Sequence, residues 1–266
     1  MRGFIGAGNM NTDLGVYDAV KRDTELHVSW RGSPLRERTS HRMFRRFLKV
    51  SLIVLVCVVL ASLWAHKPRP ELTQGPEADA LAQRVVNATG AEAWRSLKRV
   101  VFNFRGGRYE WHVQEQVVWI GDAPERIILD LQTKSCRGET PAVEVSESAC
   151  RYRTARWNND SFWLNPFGKL FDPGVDRGLC TIQQGAPPWL CVRFNSGGDT
   201  PGDLYAIHVG PDERPTAWRM WVKILPIGGV HAVWDQWREI PGGAWFAGLR
   251  YVSAYTVPVE LIQVDP

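Results

Sequence analysis

The most constraining feature of the sequence is an apolar run from Phe47 to Ala65, FLKVSLIVLVCVVLASLWA. From Val50 to Ala65 it carries no charged residue, and its only polar interruptions are two serines, which disfavours a buried core helix. As a helix this uncharged part would be roughly 24 Å long, or about 28 Å if the Lys49 amine bends toward the headgroups. That length crosses a bilayer, so we predict one transmembrane helix over residues 43–66.

The basic residues around this run predict its orientation. Only Lys67 and Arg69 follow it closely. The basic residues before it are Arg36, Arg38, Arg42, Arg45, Arg46 and Lys49. Flanking basic residues stay on the cytoplasmic side, so we expect the N-terminus inside and the C-terminal domain in the periplasm or its equivalent, on an inner (plasma) membrane.

A cleaved secretory signal that starts at Met43 is the alternative to a permanent anchor. Leu63 and Ala65 form a poor small-x-small cleavage site, and Trp64 between them is bulky. We therefore expect an uncleaved signal-anchor helix.

Residues 1–42 are polar and mixed in charge, and we expect a disordered cytoplasmic tail, or upstream sequence if Met43 is the true start. The stretch Gly3-Phe4-Ile5-Gly6-Ala7-Gly8-Asn9-Met10 resembles the phosphate loop of pyrroline-5-carboxylate reductases and related nicotinamide enzymes. Asn11 stands where that loop needs its third small residue, and no complete βαβ unit follows before the apolar run. An oxidoreductase fragment is therefore the weakest of the functional alternatives.

Four of the five cysteines, Cys136, Cys150, Cys180 and Cys191, follow the apolar run. An even number on the oxidising side of a membrane predicts two disulfides, and four cysteines allow three pairings. We favour Cys136 with Cys150 and Cys180 with Cys191, because each pair brackets a turn-rich loop. Each bridge would stabilise the domain by roughly 2–4 kcal/mol.

The chain after the anchor begins with a linker over residues 67–75 and continues as one domain over 76–266. Pro76 is suited to the first position of a helix, and Gly90 to its end. The helix has an apolar stripe made of Leu81, Ala82, Val85 and Val86. A short second helix would carry Trp94.

Beyond Val100 the apolar residues alternate with a period of two, which predicts strands joined by short Gly/Pro turns. In the single strand that we expect between the Gly106-Gly107 turn and the next turn at Gly121, Trp111, Val113, Val117 and Trp119 should share one face. The order of one helix and then many strands favours an α+β fold that is mainly antiparallel.

One segment interrupts this alternation, FWLNPFGKLF from Phe162 to Phe171, which ends in DPGV. It is apolar and aromatic but neither alternating nor long. We interpret it as a short helix or loop that plugs the concave face of the sheet, with a buried corner of the core as the alternative.

The order of these elements over residues 71–266 resembles the outer-membrane lipoprotein-sorting family, which contains the periplasmic lipoprotein carrier and its outer-membrane receptor. The resemblance rests on the glycine-broken helix DALAQRVVNATGAEAWRSL, the strand RVVFNF, the hairpins and the FWLNPFGKLFDPGV insert. It implies a strongly curved, half-open antiparallel barrel with helices in its mouth and an interior that accepts acyl chains. The carriers shuttle or are lipid-anchored, whereas a helical anchor implies a fixed acceptor, donor or sensor.

The aromatic content of the domain supports an apolar cavity independently, because large rings on strand faces can line a hollow. A closed core that these rings fill is the alternative. The expected cavity-lining residues are Trp111, Trp119, Phe162, Trp163, Phe167, Leu170, Phe171, Trp218 and Trp234.

The sequence contains no G-x-S-x-G, H-E-x-x-H or Walker motif, so we expect a non-enzymatic protein without cofactor or metal. The net charge of +4 is modest and sits largely beside the apolar run, which indicates a membrane surface and no nucleic-acid partner. The expected partners are the membrane and a lipid or lipoprotein acyl chain, with an envelope protein as the alternative.

Overall fold

A single long helix occupies the apolar run. The computed structural model describes residues 34–197, 199–253 and 255–266, and side chains from Met43 onward. Helix α1 extends from Pro34 to Ala65, so it begins inside the predicted tail. Its exposed 23-residue stretch Met43–Ala65 is apolar and long enough to cross a membrane. The glycine motif near the N-terminus lies outside the described residues.

Helix α2 (Pro76–Ala88) has the predicted boundaries, with proline in its first turn. Its apolar stripe faces the core through Ala78, Ala82, Val85 and Val86. Gly90 follows the helix with φ of +56°, a conformation that glycine adopts without steric cost. A Cβ at this position would also collide with the Gly243 carbonyl. A 3₁₀ turn, Ala93–Ser96, then buries Trp94.

The first of two antiparallel sheets has six strands. In spatial order they are β13 (Val259–Asp265), β1 (Arg99–Phe104), β2 (Gly107–His112), β3 (Val117–Ile120), β4 (Ile127–Asp130) and β5 (Cys136–Gly138). Its inner face contributes Phe102, Tyr109, Val118 and Leu129 to one core cluster.

The second antiparallel sheet has seven strands. In spatial order they are β12 (Tyr255–Thr256), β11 (Ala244–Val252), β10 (Val230–Ile240), β9 (Pro215–Trp221), β8 (Asp203–Val209), β7 (Trp189–Phe194) and β6 (Val175–Cys180). Its inner face packs against α2 through a second core cluster that includes Leu190, Val192 and Ile207.

The domain is therefore α+β with two antiparallel sheets, as the sequence pattern predicts. Consecutive strands β12 and β13 lie at the edges of different sheets, so the chain passes from one sheet to the other there. The two sheets do not close into a barrel.

Helix α3 (Glu147–Leu164) is the main element that the sequence analysis missed. The Ser146 hydroxyl caps it by accepting a 3.2 Å hydrogen bond from the Ala149 amide. Only Trp157, Asp160 and Leu164 are buried along its 18 residues, so it lacks the broad apolar stripe that reveals a helix in sequence. The predicted plug is divided between the last turn of α3 and a 3₁₀ turn at Phe167–Lys169.

Both favoured disulfides are present. Cys136 in β5 bonds to Cys150 in the first turn of α3, and Cys180 in β6 bonds to Cys191 in β7. The first bridge joins α3 to the edge of the six-stranded sheet, and the second joins neighbouring strands of the other sheet.

Candidate functional site

Five aromatic side chains meet where α3 and the turn after it cover the seven-stranded sheet. We call Phe162, Trp163, Phe167, Trp218 and Trp234 the interior aromatic cluster. Trp163 contacts Trp218 edge-on at 5.3 Å between ring centroids and stacks with Trp234 at 6.1 Å. Phe162 stacks on Trp218 at 5.9 Å, and Phe167 meets Trp234 edge-on at 5.2 Å. These separations are in the range where aromatic pairs attract each other.

Strand register brings the two sheet tryptophans together. Trp218 on β9 lies directly opposite Ala232 on β10, and Trp234 follows two residues later on the same face. Their rings are 4.7 Å apart in an edge-on arrangement. The C-terminal turn of α3 supplies Phe162 and Trp163, whose rings cover the two tryptophans.

The other four predicted lining residues occupy different places. Leu170 is buried in the same core as the interior aromatic cluster. Trp111 packs against Trp157 of α3 at 5.7 Å, in the core of the six-stranded sheet. Phe171 is 44% exposed, with the guanidinium carbon of Arg177 4.3 Å from its ring centroid.

Trp119 lies on the opposite face of its sheet from Trp111, so the predicted shared face is wrong. Trp111 pairs with Val118, and Trp119 pairs with Glu110. The predicted single strand is in fact two, because a turn between His112 and Val117 separates β2 from β3. This turn changes the alternation, which puts Val118 inside and Trp119 outside. On the outer face the guanidinium carbon of Arg126 lies 4.4 Å from the Trp119 ring centroid.

The interior aromatic cluster is closely packed. Trp218 and Trp234 are 1% and 2% exposed, whereas Phe162 and Trp163 are half-buried. A surface cavity of about 340 Å³ lies elsewhere, between the 182–189 loop and the outer face of the seven-stranded sheet, and Trp189, His208 and Arg219 contribute to its lining. A second, of about 410 Å³, is bounded by Leu81, Pro187 and Glu213 among others.

A buried polar pair joins α3 to the six-stranded sheet. The Tyr109 hydroxyl donates a 2.5 Å hydrogen bond to Asp160 Oδ2, and both residues are buried. Asn159 Nδ2 donates to Asp160 Oδ1 at 2.8 Å, and Arg156 Nε lies 3.4 Å from Oδ2. Burial and the adjacent carboxylate both raise the pKa of Tyr109, so its hydroxyl remains a donor at physiological pH.

Arg250 on β11 is the most unusual polar residue of the interior. It is 0% exposed and lies directly opposite Trp234. Its guanidinium carbon is 4.7 Å from the Trp234 ring centroid and 4.9 Å from that of Phe246. Within the described part of the chain, Nε, Nη1 and Nη2 have no hydrogen-bond partner. Burial lowers the pKa of Arg250 to about 9, so the guanidinium is still charged at neutral pH.

The sequence analysis did not identify Arg250. The structure buries Ala244, Phe246, Ala247 and Arg250, while Tyr251 is 37% exposed. The only hint in the sequence was an arginine within an apolar strand. The alternation of residues along a strand does not by itself tell which side chains face the core.

The described residues contain no group of three or more His, Cys, Asp or Glu side chains that could hold a metal ion. In the Asn195–Asp203 loop, whose acidic residues could have suggested calcium, Asp203 instead accepts hydrogen bonds from the Lys223 amide and the Thr200 hydroxyl.

No protein-family model matches the chain, and no curated protein matches it.

Proposed function

We propose that this is a single-pass membrane protein whose extracytoplasmic domain binds the acyl chain of a lipid or a lipoprotein, without catalysis. The observation that carries the proposal is the position of Phe162 and Trp163, which lie half-buried on the apolar inner face of a sheet that is open at its edges. An acyl chain would take the place of these two side chains.

Helix α1 and the disulfides support the proposed location. The stretch Met43–Ala65 would be about 34 Å long, enough for the hydrocarbon core of a bilayer. Two disulfides are typical of an oxidising compartment. Together with the basic residues before the helix, they favour a cytoplasmic N-terminus and a domain on the outer side of the inner membrane.

The linker after α1 is hydrogen-bonded to the domain. Thr73 and Leu179 exchange main-chain hydrogen bonds of 2.9 and 2.8 Å, which extends the edge of the seven-stranded sheet. Arg69 Nη2 donates a 2.7 Å hydrogen bond to the Gly202 carbonyl. A linker held in this way favours a fixed acceptor, donor or sensor over a carrier that shuttles.

The order of strands supports a half-open barrel of the lipoprotein-sorting kind. The two sheets follow one another through β12 and β13, and α2 and α3 cover their inner faces. In this interpretation Trp218 and Trp234 form the inner surface of the half-open barrel, and the last turn of α3, with Phe162 and Trp163, covers that surface. We propose a distant relationship with that family on this basis.

Helix α3 is suited to the role of a movable cover. Its first turn is bonded to β5 through Cys136 and Cys150, while its last turn carries Phe162 and Trp163. Displacing the last turn removes the contacts of Phe162, Trp163 and the buried Leu164, while the rest of the helix has only Trp157 and Asp160 buried. Burial of an acyl chain contributes about 0.8 kcal/mol per CH₂, so a chain of a dozen carbons offsets the loss of two half-buried rings.

The test uses the full chain in phosphatidylcholine nanodiscs with a diazirine-bearing palmitate. After illumination, mass spectrometry maps the crosslinked residues. Crosslinks to α1 report the bilayer and act as an internal standard. We expect additional crosslinks at Phe162–Leu170 and around Trp218 and Trp234. Crosslinks confined to α1 would contradict acyl binding by the domain.

A matched pair of variants makes the test specific. Trp163→Ala enlarges the space on the sheet and should increase interior crosslinking, whereas Tyr152→Ala removes an aromatic side chain that is 59% exposed on the same helix and should leave it unchanged.

The close packing around Trp218 and Trp234 favours a second candidate, an envelope interaction module with a closed core. Such a module would bind a protein partner through its surface. It would give no interior crosslinks, and Trp163→Ala would only destabilise it.

A further inference from the structure

Arg250 brings an uncompensated positive charge into the middle of the apolar interior. An arginine carries five N–H donors in the plane of its guanidinium. The rings of Trp234 and Phe246, each within 5 Å of the guanidinium carbon, attract the charge through their faces. Aromatic faces do not accept the in-plane hydrogens, however, and Nε, Nη1 and Nη2 lack acceptors among the described residues.

Two neighbouring indoles add to this surplus of donors. Trp234 contacts both Arg250 and Trp218, and the Nε1 atoms of both tryptophans are buried without acceptors in the described structure. In contrast, Trp221 and Trp237 donate Nε1 hydrogen bonds to main-chain carbonyls at 2.8 and 2.9 Å. Buried polar groups nearly always have hydrogen-bond partners, so the unpaired donors of three neighbouring side chains, Arg250, Trp234 and Trp218, need an explanation.

The nearby acidic residues do not provide the missing acceptors. Asp160, the only buried carboxylate of the described residues besides Asp203, is bonded to Tyr109 and Asn159. Asp235 is the next residue after Trp234 on β10 and is exposed. No described carboxylate forms an ion pair with Arg250.

From this arrangement we infer that Arg250, with the indole N–H groups of Trp218 and Trp234, forms an internal binding site for the anionic group of an amphiphile. The inference rests on the proposed acyl-binding function. The carboxylate or phosphate lies against the guanidinium, and the acyl chain occupies the space beside Trp218 and Trp234 that Phe162 and Trp163 leave. No covalent step is involved.

This site distinguishes between classes of ligand. A fatty acid carries a free carboxylate, and a phospholipid carries a phosphate, both of which accept several hydrogen bonds from a guanidinium. The acyl chains of a lipoprotein are linked through neutral esters and amides. The buried charge therefore favours a free fatty acid or an anionic phospholipid over a lipoprotein.

The test compares two probes that differ only at the head, diazirine-bearing palmitate and the corresponding palmityl alcohol, on the full chain in phosphatidylcholine nanodiscs. Interior crosslinking is normalised to crosslinking of α1. For the wild-type chain we expect the carboxylate to exceed the alcohol by roughly tenfold. Equal interior crosslinking by both probes would overturn the anion site while leaving acyl binding intact. Absence of interior crosslinking by either probe would overturn both proposals.

Variants then assign the preference to the guanidinium. Arg250→Met should abolish it, and Arg250→Lys should retain part of it. Arg238→Met is the matched control, because Arg238 is an exposed arginine whose guanidinium carbon lies 5.5 Å from the same Phe246 ring. A preference that survives in Arg250→Met would contradict the inference. If that variant does not fold, the comparison of probes on the wild-type chain decides.

A further arm separates a lipid headgroup from a free anion. Inorganic phosphate and acetate are added to the wild-type chain, and the thermal unfolding temperature is measured. Small anions should leave it unchanged, because they lack the acyl chain that opens α3. A rise that depends on Arg250 would overturn the amphiphile as the occupant.

Discussion

The indole Nε1 of Trp221 donates a 2.8 Å hydrogen bond to the carbonyl of Lys67, two residues beyond the end of α1. The Lys67 amide donates in turn to the Gly228 carbonyl at 2.9 Å, and the Gly228 amide donates to His66 Nδ1 at 3.1 Å. Three hydrogen bonds therefore join the two residues that follow the helix to the last residue of β9 and to the loop between β9 and β10.

Replacing Trp221 with Phe should release this junction. We expect faster hydrogen exchange at the amides of Lys67 and Gly228 and a loss of unfolding free energy of about 1 kcal/mol, because one net hydrogen bond disappears. Trp237→Phe is the control, since it removes a similar bond to the Pro215 carbonyl elsewhere. If both variants changed exchange at Lys67 equally, the junction would not depend on Trp221.

Removing the Tyr109 hydroxyl should destabilise the contact between α3 and the six-stranded sheet. Tyr109→Phe leaves one oxygen of the buried Asp160 without its shortest hydrogen bond, which should cost about 1–3 kcal/mol in denaturant unfolding. Tyr205→Phe is the matched control, because the Tyr205 hydroxyl makes no hydrogen bond to the described residues and should change stability much less. Equal losses in the two variants would show that the buried pair contributes little.

Loss of either disulfide should lower stability, but the two losses should expose different parts of the domain to proteolysis. Replacing either pair with Ala should lower stability by roughly 2–4 kcal/mol, since the bridged cysteines are 14 and 11 residues apart. Only loss of Cys136–Cys150 should expose α3 to proteolysis, because that bridge joins the helix to β5. Cleavage within α3 after loss of Cys180–Cys191 would contradict this assignment.

Acid should weaken the seven-stranded sheet through Asp176. Asp176 on β6 lies opposite Arg193 on β7, and a 2.5 Å ion pair joins them. The hydrogen bond from Arg193, and after it the one from Asn195, lowers the pKa of Asp176 below its value in the unfolded chain. The resulting stabilisation is present above the unfolded pKa of about 4 and is lost as pH falls through the folded pKa.

Urea unfolding between pH 6 and pH 2 measures this effect. Asp176→Asn should be less stable than the wild-type chain at pH 6 and should converge with it at low pH. Glu125→Gln, at an exposed carboxyl without a described ion pair, should follow the wild-type curve. A constant difference between Asp176→Asn and wild type at every pH would contradict the proposed linkage.

Local sequence signals predicted the elements that depend on neighbouring residues. The apolar run, Pro76 and Gly90 marked helices α1 and α2, and short spacing favoured both disulfides. Helix α3 escaped prediction because its inward residues come from different turns and contact two sheets, so no apolar period appears. The helix depends on tertiary contacts, because Trp157 packs on the six-stranded sheet and Trp163 packs on the seven-stranded sheet.

The candidate site was predictable only in part, for a related reason. Trp163, Phe167, Trp218 and Trp234 were expected in the interior and do lie together. Trp119 was assigned to the same interior and lies outside, because one turn changes which residues of β3 face inward.

By itself the sequence determined an apolar helix, two disulfides between neighbouring cysteines and an antiparallel, aromatic-rich domain, because composition and short-range spacing carry that information. Only the tertiary structure decided which faces turn inward and that Arg250 lies buried against Trp234. Strand register is set by contacts between distant residues, and a shift of one position moves every side chain to the opposite face.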